Sequence, residues 1–167
     1  PPPVVGTLPI FEDFNDGIAD FLQVQSGSWS VGNERYDVTP SVGSDAISTL
    51  RIDDPLPSAV ELSAVLNAKP GGNGFFSNAF VIFDYQDETD FKFAGTYVGG
   101  NQWLIGHRIP SGWVADSSIS ETVNTGTDYT VEVKLDGDLA ELLVNGISKT
   151  SHRFLDSLTD GELGLGT

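Results

Sequence analysis

The chain has 167 residues and reads as one domain, long enough to bury a core without disulfide or zinc staples. It has no Cys, which excludes a disulfide framework, thiolate zinc sites and cysteine nucleophiles together. Eight Lys and Arg stand against 24 Asp and Glu, a formal charge of −16, so nucleic acid and anionic membrane are repelled. No apolar run reaches the roughly 20 residues that a membrane helix needs. Acidity of this degree suits a soluble protein of a salty environment or one whose carboxylates hold divalent cations, and both readings point outside the cell.

In chain order, Pro1-Pro2-Pro3 and the residues up to 9 read as the stub of a linker from a longer polypeptide. A first strand is expected over Ile10 to Phe14, followed by an Asn15-Asp16-Gly17 turn. Phe21 to Val24, Ser28 to Val31, Arg35 to Thr39 and Ala46 to Ile52 follow as short strands between Gly and Asn turns. Trp29, between Ser28 and Val31, is expected in the core. Val60, Leu62, Ala64 and Leu66 alternate with polar or outward positions, which buries one face, and the turn Lys69 to Gly74 ends that strand.

Four consecutive strands then span Asn78 to Asp116. Ala79 to Tyr85 is an apolar run; Phe91, Phe93 and Tyr97 alternate with Lys92, Ala94 and Thr96; Trp103, Ile105 and His107 alternate again; Gly112 to Ala115 closes the set. Acidic or Gly/Pro turns separate them. Ser117 to Thr127 reads as a polar connection. Val131, Val133 and Leu135 point inward from the next strand, Asp136-Gly137-Asp138 and Asn145-Gly146 turn the chain through Ala140 to Val144 and Ile147 to Arg153, Phe154 to Thr159 reads as one helical turn, and Leu163 to Gly166 is a last short strand. About a dozen short strands without a 3.6-residue period predict an all-β fold, an antiparallel β-sandwich of jelly-roll type, with a barrel as the alternative.

Several segments taken together carry a resemblance. They are FEDFNDG at 11–17, SGSWSV at 26–31, RYDVTP at 35–40, FVIFDYQDETDFKFAG at 80–95, WLIGHR at 103–108, YTVEVKLDGDLAELLVNG at 129–146 and DGELGLGT at 160–167. In order and spacing they resemble the laminin G-like branch of the concanavalin A-like lectin/glucanase superfamily, in the form found in large secreted or surface-anchored bacterial proteins. The resemblance implies a jelly-roll sandwich and a role in adhesion. Members usually carry a further strand after the glycine-rich segment, so a missing last strand and an unpaired edge beside Ile10 to Phe14 are expected.

Three chemistries bear on the residues of this chain. Calcium wants six to eight oxygen ligands, and irregular acidic turns can supply them; Asp84, Asp87, Glu88 and Asp90 around one hairpin and Asp13 and Asp16 around the first turn are the candidates, although none matches an EF-hand loop. Glycoside hydrolysis needs two opposed carboxylates, and the Glu-x-Asp-x-x-Glu strand of the glucanase members is missing, so no catalytic residue is assigned. Recognition of a glycan combines aromatic faces with planar polar side chains, for which Trp113, Trp103, Tyr97, Asn101, Gln102, His107 and Arg108 are the candidates. Trp103 also fits a core position by its alternation with Ile105, whereas Trp113 in the turn Ser111-Gly112-Trp113 reads as exposed. The expectation is a non-catalytic, calcium-assisted module that binds a glycan or surface ligand in a secreted bacterial adhesin-type protein. A structural spacer or self-association domain and a carbohydrate-active enzyme are the alternatives.

Overall fold

The computed structural model of the chain describes residues 4–41, 43–71 and 77–167. Pro1–Pro3 and the end of the expected turn at residues 72–74 lie outside them. The described strands are β1 (Leu22–Val24), β2 (Ser28–Gly32), β3 (Arg35–Thr39), β4 (Ile47–Leu50), β5 (Ala59–Leu66), β6 (Asn78–Asp87), β7 (Asp90–Tyr97), β8 (Gln102–Ile109), β9 (Gly112–Ser120), β10 (Tyr129–Asp136), β11 (Leu139–Val144), β12 (Ile147–Arg153) and β13 (Glu162–Gly166). All named pairings are antiparallel.

Seven strands form one sheet in the order β1-β4-β13-β6-β7-β8-β9, and four form a second in the order β12-β11-β10-β5. The fold is therefore an antiparallel β-sandwich. Its main core lies between the sheets. Val131, Val133, Leu135, Ala140, Leu142 and Val144 alternate inward from β10 and β11 and meet Val81, Phe83, Ala94, Trp103, Ile105 and Leu163. Burial of side chains this size contributes roughly 1.5–3 kcal/mol each.

The outer face of the larger sheet is apolar as well. Ile47, Phe80, Ile82, Tyr85, Phe91, Phe93 and Leu104 form a second buried cluster, with Tyr97 and Trp113 packed against it. This explains why β6 is an uninterrupted apolar run: a strand covered on both faces has no polar side. Glycines make that cover possible. Gly106 opposes Phe93 on the neighbouring strand, and a Cβ built there would meet Val114 O at 2.1 Å and the Phe93 ring at 2.6 Å. The ring thus occupies the space that a side chain at 106 would need.

The β2–β3 hairpin packs separately. Tyr36 stacks between Trp29 and Phe14, at 4.6 and 5.6 Å between ring centres, and its hydroxyl hydrogen bonds to Ser48 at 3.1 Å. Arg35 forks onto Asp128 at 3.1 and 2.7 Å. Trp29, expected in the core, is instead half-buried in this hairpin, where its indole N–H donates to Ser26 O.

The expected order of strands holds along most of the chain and fails at four places. Ile10 to Phe14 is not a strand, because the Glu12 carboxylate accepts the backbone N–H groups of Phe14 and Asp20 and so replaces a ladder with local bonds. The sheet edge falls on the three residues of β1, and β13 is interior, between β4 and β6. Residues 4–6 of the expected linker are docked: Val4 N–H donates to Asp20 O, Gly6 N–H donates to Arg51 O, and Gly6 bridges to Ile52. Ser117 to Ser120 belong to β9, paired with Gln102 to Ile105 of β8. Phe154 to Thr159 makes no helical turn, since Phe154 and Leu158 donate instead to Asp138 O and Gly137 O across the β10–β11 turn.

Replacing Gly106 by Ala is expected to cost about 1–3 kcal/mol of stability or more, through displacement of Phe93 and β9. Urea unfolding of the variant beside the parent chain checks this; an unchanged midpoint would show that the outer face yields freely.

Candidate functional site

The outer face of the seven-stranded sheet ends, on the side of the β6–β7 turn, in a polar groove of about 450 Å³. Four segments line it: Ser26-Gly27 before β2, the loop with Ser41, Gly43, Ser44 and Asp45, the turn residues Glu88 and Thr89, and Arg108 from β8 beside Ile47 of β4. Asp45 organises the groove. Its Oδ2 accepts Arg108 Nε at 2.8 Å, and its Oδ1 accepts the Trp113 indole N–H at 2.9 Å. Ser26 Oγ braces the same loop by donating to Asp45 O at 3.1 Å.

Strand geometry puts these groups together. Phe91, Arg108 and Trp113 are cross-strand partners on β7, β8 and β9. The Trp113 ring reaches back across the sheet, stacked on Phe80 at 5.2 Å and edge-on to Phe91 at 5.3 Å and Phe93 at 4.6 Å. It is a partly buried cover of the outer cluster rather than a ring projecting from a turn. Arg108 and Asp45 keep only 16% and 27% of their side-chain surface exposed, so the pair is held in place more firmly than an open surface ion pair. The outward donors of the guanidinium, the serine hydroxyls, Thr89 and Glu88 give the groove several directional hydrogen-bonding groups around apolar Ile47.

The candidate ligand residues do not gather in one place. Arg108 and Trp113 come together at the groove. Tyr97 and Gln102 are cross-strand partners at the opposite end of the outer face, with Asn101 beside them in the short 3₁₀ turn region after β7; Asn101 Oδ1 accepts Val123 N–H at 3.2 Å. Trp103 and His107 lie elsewhere. Trp103 is 1% exposed, in edge contact with Tyr129 between the sheets, so the structure removes it from the ligand set. His107 Nδ1 is 2.7 Å from Asp116 Oδ2. Asp116 is the extra residue of a bulge in β9, which re-aims its side chain toward His107. The groove residues missed in the sequence are Asp45, Ser26, Ser41, Ser44 and Thr89.

A second hollow of about 920 Å³ adjoins the first and shares Glu88 with it. Asp53, Asp54, Asp87, Asp160 and Glu162 line it with Arg51 and Tyr85. Burial pushes the Tyr85 hydroxyl above its ordinary pKa, and the charges of Glu88, Glu162 and Asp87 add to the rise. The field of this end is negative.

The calcium candidates are spread over separate local hydrogen-bond networks. Among the described residues, no three carboxylate or imidazole side chains form a group that could hold a metal ion. Asp13 accepts two hydrogen bonds from Asn15, and Asp16 accepts Ile18 N–H. Asp87 accepts the backbone and hydroxyl of Thr89, which with a bond from Asp90 holds its carboxyl below the usual range. Asp90 opens β7 opposite Asp87, and Glu88 stands on the groove lip. Asp84 is buried against Lys92 and Gln86.

Two solved structures share this architecture over most of the chain. The carbohydrate-binding module CBM66 from Bacillus subtilis superposes with a TM-score of 0.72 at 11% identity, over 87% of this chain and 86% of that one. The carbohydrate recognition domain of Emp47p does so with a TM-score of 0.64 at 12% identity, over 93% and 82%. The chain has an antiparallel jelly-roll sandwich fold. No family model and no curated protein matches the sequence. At these identities the likeness concerns the fold.

Trp113→Ala is expected to lower stability by about 3 kcal/mol, since it removes three ring contacts and the Asp45 hydrogen bond. Trp113→Phe should recover more than half of that loss, because the ring contacts outweigh the N–H. Equal losses in denaturant melts of the two variants would mean that the hydrogen bond to Asp45 dominates instead.

Proposed function

We propose that this chain is a non-catalytic module that binds a neutral glycan in the groove around Arg108 and Asp45. The observation that carries the reading is the groove itself: a polar, partly rigid cleft on the outer face of a lectin-type sandwich, in which one guanidinium is fixed by one carboxylate. Two proteins of similar fold are named for carbohydrate binding, which supports the class of ligand. Sugar hydroxyls pair with donor and acceptor groups of the kind gathered here.

Charge narrows the ligand. Arg108 is neutralised by Asp45, Glu88 shares the groove, and the adjoining hollow is acidic. A uronate, sialic acid or sulfated sugar would enter against this field. Catalysis is not part of the proposal: of the two carboxylates that line the groove among the described residues, both oxygens of Asp45 are bound to Arg108 and Trp113, which leaves no opposed acid and base pair. Calcium enters only as a condition of the test. The acidic, Cys-free composition supports the extension of this reading to a secreted or surface-anchored bacterial protein of adhesin type.

A second reading rests on a different surface. Val4, Val5, Leu8, Phe11 and Ile18, in the segment before edge strand β1, and Val24 at the end of β1 itself are exposed apolar residues, Phe11 to 81%. Such a surface favours self-association.

A glycan array probed in millimolar calcium and again with a chelator tests both. Signal on neutral glycans, little on anionic ones, and a loss of about tenfold or more in affinity for Arg108→Ala, with unchanged circular dichroism, are expected. Loss of signal with the chelator would bring calcium into the mechanism. A folded chain silent on all glycans that sediments as a dimer would replace the first reading by the second.

A further inference from the structure

At the end of the inter-sheet core, one contact stands outside the fold's ladders and does not line the groove. The pairing of β6 with β7 is irregular between Phe83 and Asp87, so that Asp84, Tyr85 and Gln86 stand opposite Phe91 alone. Asp84 adopts φ 49°, unusual for a residue with a side chain, and is 4% exposed. Its Oδ1 accepts Gln86 Nε2 at 3.0 Å and its Oδ2 lies against Lys92 Nζ, while the exposed Asp160 side chain comes close enough to raise the Asp84 carboxyl. Lys92 Nζ is 5.5 Å from the centre of the Phe154 ring.

Both partners are enclosed, at 12% side-chain exposure for Lys92 and 5% for Asp84. The other lysine pairs differ. In Lys69–Asp37, Lys134–Glu61 and Lys149–Glu121 the carboxylates are 42%, 55% and 44% exposed.

We infer that Lys92 and Asp84 condense into an intramolecular amide, with Asp160 as the proton carrier and Gln86 holding the carbonyl oxygen. In water an ammonium and a carboxylate do not react, because the amine has no lone pair and the carboxylate is a poor electrophile. Enclosure removes the hydration that favours the charged pair. Burial raises the Asp84 carboxyl above its ordinary pKa and Asp160 adds to the rise, against hydrogen bonds from Lys92 and Gln86. Transfer of one proton from Nζ to Oδ2 then gives a neutral amine beside a carboxylic acid.

The balance closes without a cofactor. The Nζ lone pair attacks Cγ and a C–N bond forms. Charge that develops on Oδ1 is met by the Gln86 amide N–H. Asp160 takes the remaining surplus proton from nitrogen and delivers it to the departing oxygen. The Cγ–Oδ2 bond breaks, and one water leaves. Nothing is oxidised or reduced. Contact imposed by the fold replaces a bimolecular encounter, which is where the rate would come from. The product closes a hairpin whose tip carries Glu88 and Thr89.

Mass spectrometry of the intact chain, purified folded and then denatured, is the test. A mass lower by one water is expected, with trypsin failing to cut after Lys92 and fragment spectra joining Asp84 to Lys92. Cyclised aspartate at Asp16-Gly17, Asp136-Gly137 or Asp160-Gly161 loses the same water, but hydroxylamine opens it and leaves the amide intact. Lys92→Arg should show its full sequence mass. Asp160→Asn, with an unchanged circular dichroism spectrum, should lose water more slowly or not at all; condensation at the parent rate would overturn the role of Asp160. A parent chain at full sequence mass that trypsin cuts after Lys92 would overturn the amide.

Discussion

Strands at the centre of the larger sheet bury side chains on both faces, and most of the structure follows from that demand. Val81, Phe83, Ala94, Trp103 and Ile105 are covered by the four-stranded sheet. Phe80, Ile82, Phe91, Phe93 and Leu104 face the other way. Rings there fill the space left by small neighbours, Phe93 at Gly106 and Phe80 at Gly95, and Trp113 closes over them. An indole in that position still needs an acceptor for its N–H. Asp45 supplies it, and a half-enclosed carboxylate needs a charged partner in turn, which Arg108 provides. The polar groove is thus the outer end of a chain of requirements that begins with apolar burial.

That origin shapes what the groove can recognise. Its one guanidinium is already paired, and the surrounding charge is negative, so affinity has to come from directional hydrogen bonds and a modest apolar floor instead of net attraction. Such a site discriminates by geometry. It also tolerates a chain charge of −16 without conflict, since a neutral ligand does not feel the field that turns anions away.

The sequence reveals this arrangement unevenly, for reasons that are physical. Alternation in Val131, Val133 and Leu135 shows one buried face, and the unbroken run of β6 shows two. Local windows fail where a side chain outcompetes the ladder or where a partner is remote. Glu12 captures the amides of Phe14 and Asp20, so an alternating segment makes no strand. Trp113 follows a Pro and Gly turn and reads as exposed, yet the missing side chain at Gly106 opens the space that Phe93 fills beneath it. Asp45 sits in a Ser and Gly loop with no pattern of its own; the residue that gives it meaning is 63 positions away. Asp84 looks like one more position of an extended strand, because a bulge leaves no mark in composition.

The bulge and the groove meet in the β6–β7 hairpin. Its tip carries Asp87, Glu88 and Asp90, like charges that push apart, and its base lacks regular pairing between Phe83 and Asp87. Some other tie has to hold the tip where Glu88 and Thr89 can line the groove. The hydrogen bonds from Thr89 to Asp87 order the turn locally, and at the irregular stretch the buried Asp84–Lys92 contact links the two arms beside the stacked rings of Tyr85 and Phe91. An ionic link there would loosen if the acid and amine exchanged a proton; an amide would not. A lip fixed before the ligand arrives reduces the ordering cost of binding, so the covalent form of this contact and the preorganisation of the groove become aspects of one design: the strand irregularity that exposes Asp84 to Lys92 also creates the need for the bond that joins them.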